Sequence, residues 1–458
     1  MKQTDQTISK AMTLLNQGKY EPAQQICQRI IARAPLHYQA NLLLGVIALN
    51  THKLKMAEKH LQLAQKNAKN SNDKSQALSN LSLSLSYQQR FLESLDYINQ
   101  AISLKKQPLF YCNRANVFEQ LSRWSEMQED LTIAISLSPN IPEAYISLAV
   151  AKRHLNDAHS ALSLLEQNPE YEEQDWLNEW ALLSSINHRI DHVEQQIFTL
   201  NLSDDALISL GDYALEQNYP EAARTLYLLI QKKLPEHPIL THQLNALQGI
   251  SSTQAPREYI ESLFNSCADQ FEDRLINQLQ YTLPEQLIEQ LHSCLPNTAI
   301  SAIDLGCGTG LLGKALASRA PIDSLTGVDL SEEMLEHARK TKLYQHLIHD
   351  DILNSLQSIH NTDLIMAADV LIYLGELTSL FKHANKALKN GGLFAFSIES
   401  CENDWRLDQS GRYQHSLEYI HSLLNEHVFS FVHSATCDLR LEKNQPVAGE
   451  IFILKKHG

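Results

Sequence analysis

The chain has 458 residues, of which 43% are apolar and 20% charged, too long for one ordinary core and too apolar for extended disorder. Its formal net charge is −15, and residues 251–458 alone hold 27 Asp+Glu against 16 Lys+Arg, an excess that repels phosphate backbones and weighs against nucleic-acid partners. Seven scattered cysteines without a C-x-x-C pair fit neither a disulfide framework nor a zinc site, and no run of ~18 apolar residues marks a membrane span, so a reducing cytoplasm is the expected setting.

In the first half, an apolar or aromatic residue is followed three positions later by a small residue, or once by Met. The pairs are Tyr20/Ala23, Leu54/Ala57, Phe91/Ser94, Trp124/Met127 and Ala158/Ala161, with first members 34, 37, 33 and 34 residues apart. Ala64, Ala101 and Ala134 recur seven positions further on, and Gly45, Ala115 and Ala149 occupy a matching close-contact position in the preceding helix. Small side chains there let two helices approach closely, and Pro35, Pro139 and Pro235 stop the second helix of their units. Five clear units run from about Gln6 to Asn168, a degenerate one from Trp176 to Thr199, and another is centred on Tyr219/Ala222. Trp176 and Trp180, four apart on one helix face, read as core.

A period near 34 with this turn resembles tetratricopeptide repeats. The resemblance implies stacked helix pairs forming a solenoid whose groove holds an extended peptide or helix, and hence a protein partner. The alternative is an array that only caps or dimerises the rest of the chain. Charge is uneven along it: residues 1–100 hold 12 basic and 6 acidic residues, residues 151–250 hold 6 and 15, an asymmetry able to steer a partner. Ile250–Pro256, ISSTQAP, lacks helical periodicity and reads as a linker between a repeat domain over 1–249 and a second domain over 257–458.

From Thr298 short apolar strands alternate with amphipathic helices: AISAIDLG, SLTGVDL, LIHDDIL, DLIMAADVLIYL and GGLFAFSIE. Such alternation indicates a mostly parallel sheet that binds ligands at the carboxyl ends of its strands. The first strand runs into Asp304-Leu305-Gly306-Cys307-Gly308-Thr309-Gly310, where alternate glycines permit a sharp turn and close ligand approach, and a helix N-terminus follows. Gly308 to Gly313 also matches the dinucleotide pattern G-x-G-x-x-G, which alone is ambiguous. A carboxylate at Asp304 opposes a pyrophosphate and suits a ligand with an ammonium and a sulfonium. Asp329, 19 residues after Gly310, is placed to accept from two ribose hydroxyls, with Leu330 beside it. Ser331 is a candidate N-cap with Glu332 and Glu333 in the first turn, and Met334 touches adenine or fills core.

These motifs, in order over about 70 residues, resemble those of S-adenosylmethionine-dependent methyltransferases. With PREYIESLFNSCADQFEDRL and GRYQHS, the whole chain resembles predicted bacterial methyltransferases that carry N-terminal tetratricopeptide repeats. The resemblance implies a multidomain protein, an all-α solenoid followed by an α/β Rossmann-like class I methyltransferase domain. Its seven-stranded sheet would end in a hairpin of FSFVHSATCDLRLE and EIFILKK joined by KNQPVAG. It implies S-adenosyl-L-methionine as cofactor, held by Asp304, Gly306, Cys307, Gly308, Gly310, Asp329, Leu330, Asp351, Ile352 and Asp369, with Asp351 or Asp350 receiving the adenine amino group. No metal is called for. Methyl transfer from a sulfonium needs mainly positioning, and a base only where the acceptor loses a proton in attacking. Candidate acceptor-binding residues are Phe271, Tyr281, Glu399 and Arg412, with Tyr413 and His415 as catalytic candidates. Arg412, Tyr413 and His415 lie within four positions, a set suited to a carboxylate or phenolate. The acceptor is a protein recruited by the array or a small metabolite. The rival function is a scaffold whose cofactor fold is not catalytic.

Overall fold

The computed structural model describes residues 2–170, 173–265, 268, 271, 281–402, 404–442 and 445–457, and most of the segment 266–280 lies outside them. The chain divides into two compact units, Met1–Leu226 and Tyr227–Gly458. Among the described residues no helix is long and apolar enough to cross a membrane.

The first unit is built from helical hairpins: α1 (Lys2–Asn16) with α2 (Tyr20–Arg33), α3 (Tyr38–Asn50) with α4 (Leu54–Lys66), α5 (Ser71–Tyr87) with α6 (Phe91–Leu104), and α7 (Pro108–Gln120) with α8 (Trp124–Leu137). They continue as α9 (Pro142–His154) with α10 (Ala158–Gln167), α11 (Gln174–Ile186) with α12 (Ile190–Thr199), and α13 (Asp204–Glu216) with α14 (Pro220–Gln231), inside which the unit boundary falls. The first member of each of the five recurring pairs is the first residue of the second helix in its hairpin. The turn before it is closed the same way each time, by a left-handed residue at Gly18, His52, Gln89, Ser122, Asn156, His188 or Asn218. The following N–H then donates five residues back, as from Arg90 to Leu85 and from Arg123 to Phe118, which is Schellman capping. Gly45 shows why a small residue is required between the helices: a Cβ there would sit 2.5 Å from Leu61. Trp176 and Trp180 are buried and stacked at 5.7 Å, as a core pair. A buried ion pair, Arg153 to Glu179 at 2.8 Å with Tyr213 donating to the same carboxylate at 2.7 Å, ties α9, α11 and α13 together.

The second unit opens with α15 (Pro238–Gln248), α16 (Arg257–Asn265) and α17 (Leu283–His292). A seven-stranded sheet follows in the order β3-β2-β1-β4-β5-β9-β8, from β1 (Ile300–Leu305), β2 (Ile322–Asp329), β3 (His346–His349), β4 (Thr362–Ala367), β5 (Leu388–Glu399), β8 (Phe429–Glu442) and β9 (Gln445–Lys456). The first five strands are parallel and β9 runs antiparallel between β5 and β8. Helices α18 (Leu311–Ala317), α19 (Glu332–Lys340), α20 (Ile352–Ser358), α21 (Thr378–Ala387) and α22 (Leu417–Glu426) connect them, and a separate ribbon pairs β6 (Trp405–Leu407) with β7 (Tyr413–His415). One apolar cluster lies on each sheet face, around Phe381, Phe394 and Phe396 on one side and around Leu287, Leu316 and Leu364 on the other.

Three expectations change in detail. The run LIHDDIL is a strand only to His349; Asp351 then caps α20, its Oδ1 accepting from Leu353 and Asn354 N–H, because a carboxylate there satisfies the free amides of a helix start. The QPVAG residues belong to β9, so the terminal hairpin is tighter than a seven-residue loop. Ile250–Pro256 is non-helical but is pinned within the second unit. Ala255 N–H donates to Tyr373 O, the Gly375 and Glu376 N–H groups donate to Thr253 O, and Ser252 bonds Tyr413 at 2.6 Å.

Candidate cofactor and acceptor site

Strand order reverses between β1 and β4, and the crevice at their carboxyl ends is where such a sheet accepts ligands. β1 leads into the loop of Gly306, Gly308 and Gly310, at φ of +62°, +51° and +94°, conformations that side chains resist. At Gly306 a Cβ would meet Val370 at 2.5 Å, whereas at Gly308 the nearest atom is Phe271 at 3.8 Å, an ordinary van der Waals contact, so the Phe271 ring borders this part of the loop. Asp329 at the end of β2 holds this loop, its Oδ2 accepting from Gly308 N–H at 2.8 Å and its Oδ1 from Ser331 N–H at 2.9 Å. Burial raises its pKa, opposed by the N–H groups of Ser331, Gly308 and Leu330. Ser331 caps α19 as expected, while Met334 is wholly buried and fills core.

Asp304 lies beneath the loop rather than at its rim, 1% exposed. Tyr344 donates to Oδ2 at 2.6 Å, and Oδ1 has no hydrogen-bond partner among the described residues. Burial pushes its pKa up to about 7, the Tyr344 bond opposing and the Asp329 charge adding. Thr309 Oγ1 is likewise buried without a partner among the described residues. The Cys307 side chain turns inward against Leu335, Ala338 and Tyr344, so what Cys307 offers a ligand at the loop is its backbone. Leu330 is half-buried, its carbonyl 2.8 Å from His349, and Ile352 packs into the sheet core.

On the other side of the crevice Asp369, just beyond β4, is a non-glycine residue at φ +58°. It is held there by Arg440 of β8, whose Nη1 bonds both its carboxylate oxygens at 2.9 and 3.2 Å, and by Ser397. Arg440 Nη2 reaches Glu399 at 2.9 Å, and Glu399 also accepts from Gln414 at 2.8 Å. Arg412 places Nη1 on Glu442 at 2.8 and 3.1 Å. Burial raises the Tyr281 pKa well above the ordinary value, with Asp369 adding, Arg440 opposing and Asp304 adding, so this ring lies among the acids of both strand ends. Phe264 bridges Phe271 and Tyr373 edge to face at 5.9 and 5.7 Å, forming an aromatic wall that starts at the glycine loop.

The catalytic candidates Tyr413 and His415 are both fully buried. Tyr413 bonds Ser252 and packs in one apolar cluster with Tyr373 and Phe264, and His415 Nε2 lies 3.0 Å from Gly375 O. Burial lowers the His415 pKa to about 4, with hydrogen bonds to the Gly375 and Leu374 backbone opposing. Alternation along the strand aims Arg412 and Gln414 the other way, toward Glu442 and Glu399. The sequence reading missed Tyr344, Phe264 and Arg440; Arg440 pairs with an acid 71 residues away, which no local pattern marks. Among the described residues no group of His, Cys, Asp and Glu has the arrangement of a metal site.

Residues 303–394 match the family model of a methyltransferase domain, and residues 8–72 that of a tetratricopeptide repeat. The chain is 26% identical over 140 residues to a mitochondrial ubiquinone biosynthesis O-methyltransferase of Candida albicans, covering 29% of this chain and 43% of that protein. It is 32% identical over 143 residues to a malonyl-[acyl-carrier protein] O-methyltransferase of Priestia megaterium, covering 31% and 51%. It thus spans about half or less of the curated relatives it matches. Similar solved structures include magnesium protoporphyrin IX methyltransferase from Synechocystis with bound S-adenosylmethionine, at 18% identity and TM-score 0.34, covering 44% of this chain and 96% of that one. The chain therefore joins a helical array that matches tetratricopeptide repeats at its start to an α/β sheet domain that matches a methyltransferase domain around its glycine loop.

Proposed function

We propose that the second unit binds S-adenosylmethionine and transfers its methyl group to an acceptor lying against the Phe271–Phe264–Tyr373 wall. One observation carries the reading: the matched methyltransferase region folds into a left-handed glycine loop laced to Asp329, with the orphaned Asp304 oxygen buried beneath it. This donor set fits the cofactor. Asp329 keeps a lone pair on each oxygen for ribose hydroxyls, and Asp351 Oδ2 is free of the helix cap that occupies Oδ1. When bound, the cofactor supplies an activated methyl group: in-line attack by the acceptor breaks the carbon–sulfur bond and leaves the electron pair on sulfur. The protein's share is to orient the two reactants, exclude water with the aromatic wall, and oppose acids to a cationic ligand. The helical array recruits the acceptor protein or a regulator. The non-catalytic scaffold reading draws no support from a site whose acids and glycines are all in place.

Calorimetry with S-adenosylhomocysteine tests this. Asp329→Ala should weaken binding by about tenfold or more, the value of charge-assisted hydrogen bonds, and NADH should not bind. Unchanged affinity in the folded variant, or NADH binding in place of the sulfur ligand, overturns the assignment. Methylation of lysate proteins compared with a metabolite extract, by the full chain and by residues 227–458 alone, identifies what the array contributes.

A further inference from the structure

Arg412 is the unfinished element of the acceptor side. Its guanidinium is a quarter exposed, and its hydrogen bonds run from Nη1 alone, to Glu442. The Nε and Nη2 donors bond nothing among the described residues, although together they form the edge of the planar fork that takes a carboxylate in two parallel hydrogen bonds. Its backbone is fixed. The turn before it is closed by Asp408 N–H donating to Arg412 O and by Gly411 N–H donating to Asp408 O, and His242 of α15 lies 2.9 Å from the Gly411 carbonyl.

The neighbouring acids are already engaged. Asp369 and Glu399 face Arg440, Glu399 also accepts from Gln414, and Glu442 is 42% exposed and solvated. Each of these carboxylates has a guanidinium partner, whereas the Nε and Nη2 donors of Arg412 have no partner among the described residues. Tyr373 adds a donor to these. Its hydroxyl, held protonated by burial and lying in the fields of Arg412, Asp369 and Arg440, has no hydrogen bond among the described residues. Beyond it the surface is apolar, the Tyr373 ring meeting Phe264, which in turn meets Phe271 beside the glycine loop.

We propose that the acceptor is an organic anion with an apolar body, whose carboxylate is held by the Nε/Nη2 edge of Arg412 and the Tyr373 hydroxyl while its body lies along Phe264 toward the methyl donor. The proposal rests on the methyltransferase reading and adds the acceptor class. A guanidinium in a fixed backbone selects by charge and plane: an ammonium pairs with neither donor, and a neutral amide offers one uncharged oxygen in place of a carboxylate's two charged ones.

The test uses the full chain saturated with S-adenosylhomocysteine and three probes sharing one apolar body: cinnamate, cinnamamide and cinnamylamine, their binding read by saturation-transfer NMR. Cinnamate should bind about tenfold more tightly than the amide or the amine. Arg412→Gln should erase that preference while leaving S-adenosylhomocysteine affinity intact, and Arg406→Gln, an exposed neighbour on β6, should preserve it. Should Arg412→Gln fail to fold, Glu442→Gln gives the opposite sign: freeing Nη1 tightens cinnamate binding. Equal binding of acid and amide, preference for the amine, or a preference that survives Arg412→Gln overturns the proposal. If S-adenosylhomocysteine binds and the acid preference is absent, only the acceptor class falls; if S-adenosylhomocysteine does not bind, the methyltransferase reading falls and takes this proposal with it.

Discussion

Asp304 is a carboxyl group set where water barely reaches it, with one oxygen on Tyr344 and the other without a partner among the described residues. Its folded pKa, about 7, stands above the ordinary carboxylate value. The group is therefore harmless to stability below the ordinary value, and its cost grows as pH rises toward 7. Asp304→Asn should accordingly raise the thermal midpoint of the ligand-free protein at pH 8 by roughly 2–4 °C and change it little at pH 4, while weakening S-adenosylmethionine. Calorimetric scans at the two pH values check this; a midpoint that falls equally at both would mean that the carboxyl is only a hydrogen-bond acceptor for Tyr344. The positions of Asp304 and Asp329 at the carboxyl ends of β1 and β2 were legible in the sequence because glycine spacing and strand ends fix them locally. The burial of Tyr413 and His415 was not legible, because a three-residue strand turns alternate side chains to opposite sides and nothing in GRYQHS reveals which of them are covered. Arg440 stayed hidden because its partners reach it only through the β8–β9 hairpin.

At the scale of elements, the array was readable because each hairpin repeats one mechanical solution. The aromatic or apolar marker starts the second helix, and the residue two positions before it turns left-handed to close the first. Only the first of these seven turns uses glycine; the others hold His, Gln, Ser or Asn at φ of +53° to +67°. An L-residue is strained there, and relieving the strain outweighs the added freedom of glycine in the unfolded chain. Gln89→Gly and Ser122→Gly, both exposed, should each stabilise the protein by about 0.5–1 kcal/mol, measured by urea unfolding. No gain, or a loss, would show that the side chains contribute more than their backbone strain costs. The strand limits were less legible, since LIHDDIL is apolar enough to continue and only the capping bonds of Asp351 end it.

At the scale of the whole molecule, the sequence suggested a boundary at the Ser- and Thr-containing stretch 250–256, because polar residues without periodicity usually mark slack chain. The compact units meet earlier, within α14, since α15 and the stretch after it belong to the second unit through His242, Ser251, Ser252 and Thr253. A fragment of residues 227–458 should therefore fold and bind S-adenosylhomocysteine. A fragment of residues 257–458, missing α15 and the pinned stretch, should melt lower and bind more weakly. Comparable melting of the two by circular dichroism would return the boundary to the polar stretch.

The bridge between Gln254 and Leu374, with Ala255 bonded to the Tyr373 carbonyl, has a mechanical result. The backbone that arrives from the repeats is hemmed onto the turn bearing the acceptor-side tyrosine. A pull on the chain at Gly249 is delivered to that turn through peptide hydrogen bonds instead of fading along a loose tether, so load on the incoming chain and the Tyr373 side of the crevice share one seam.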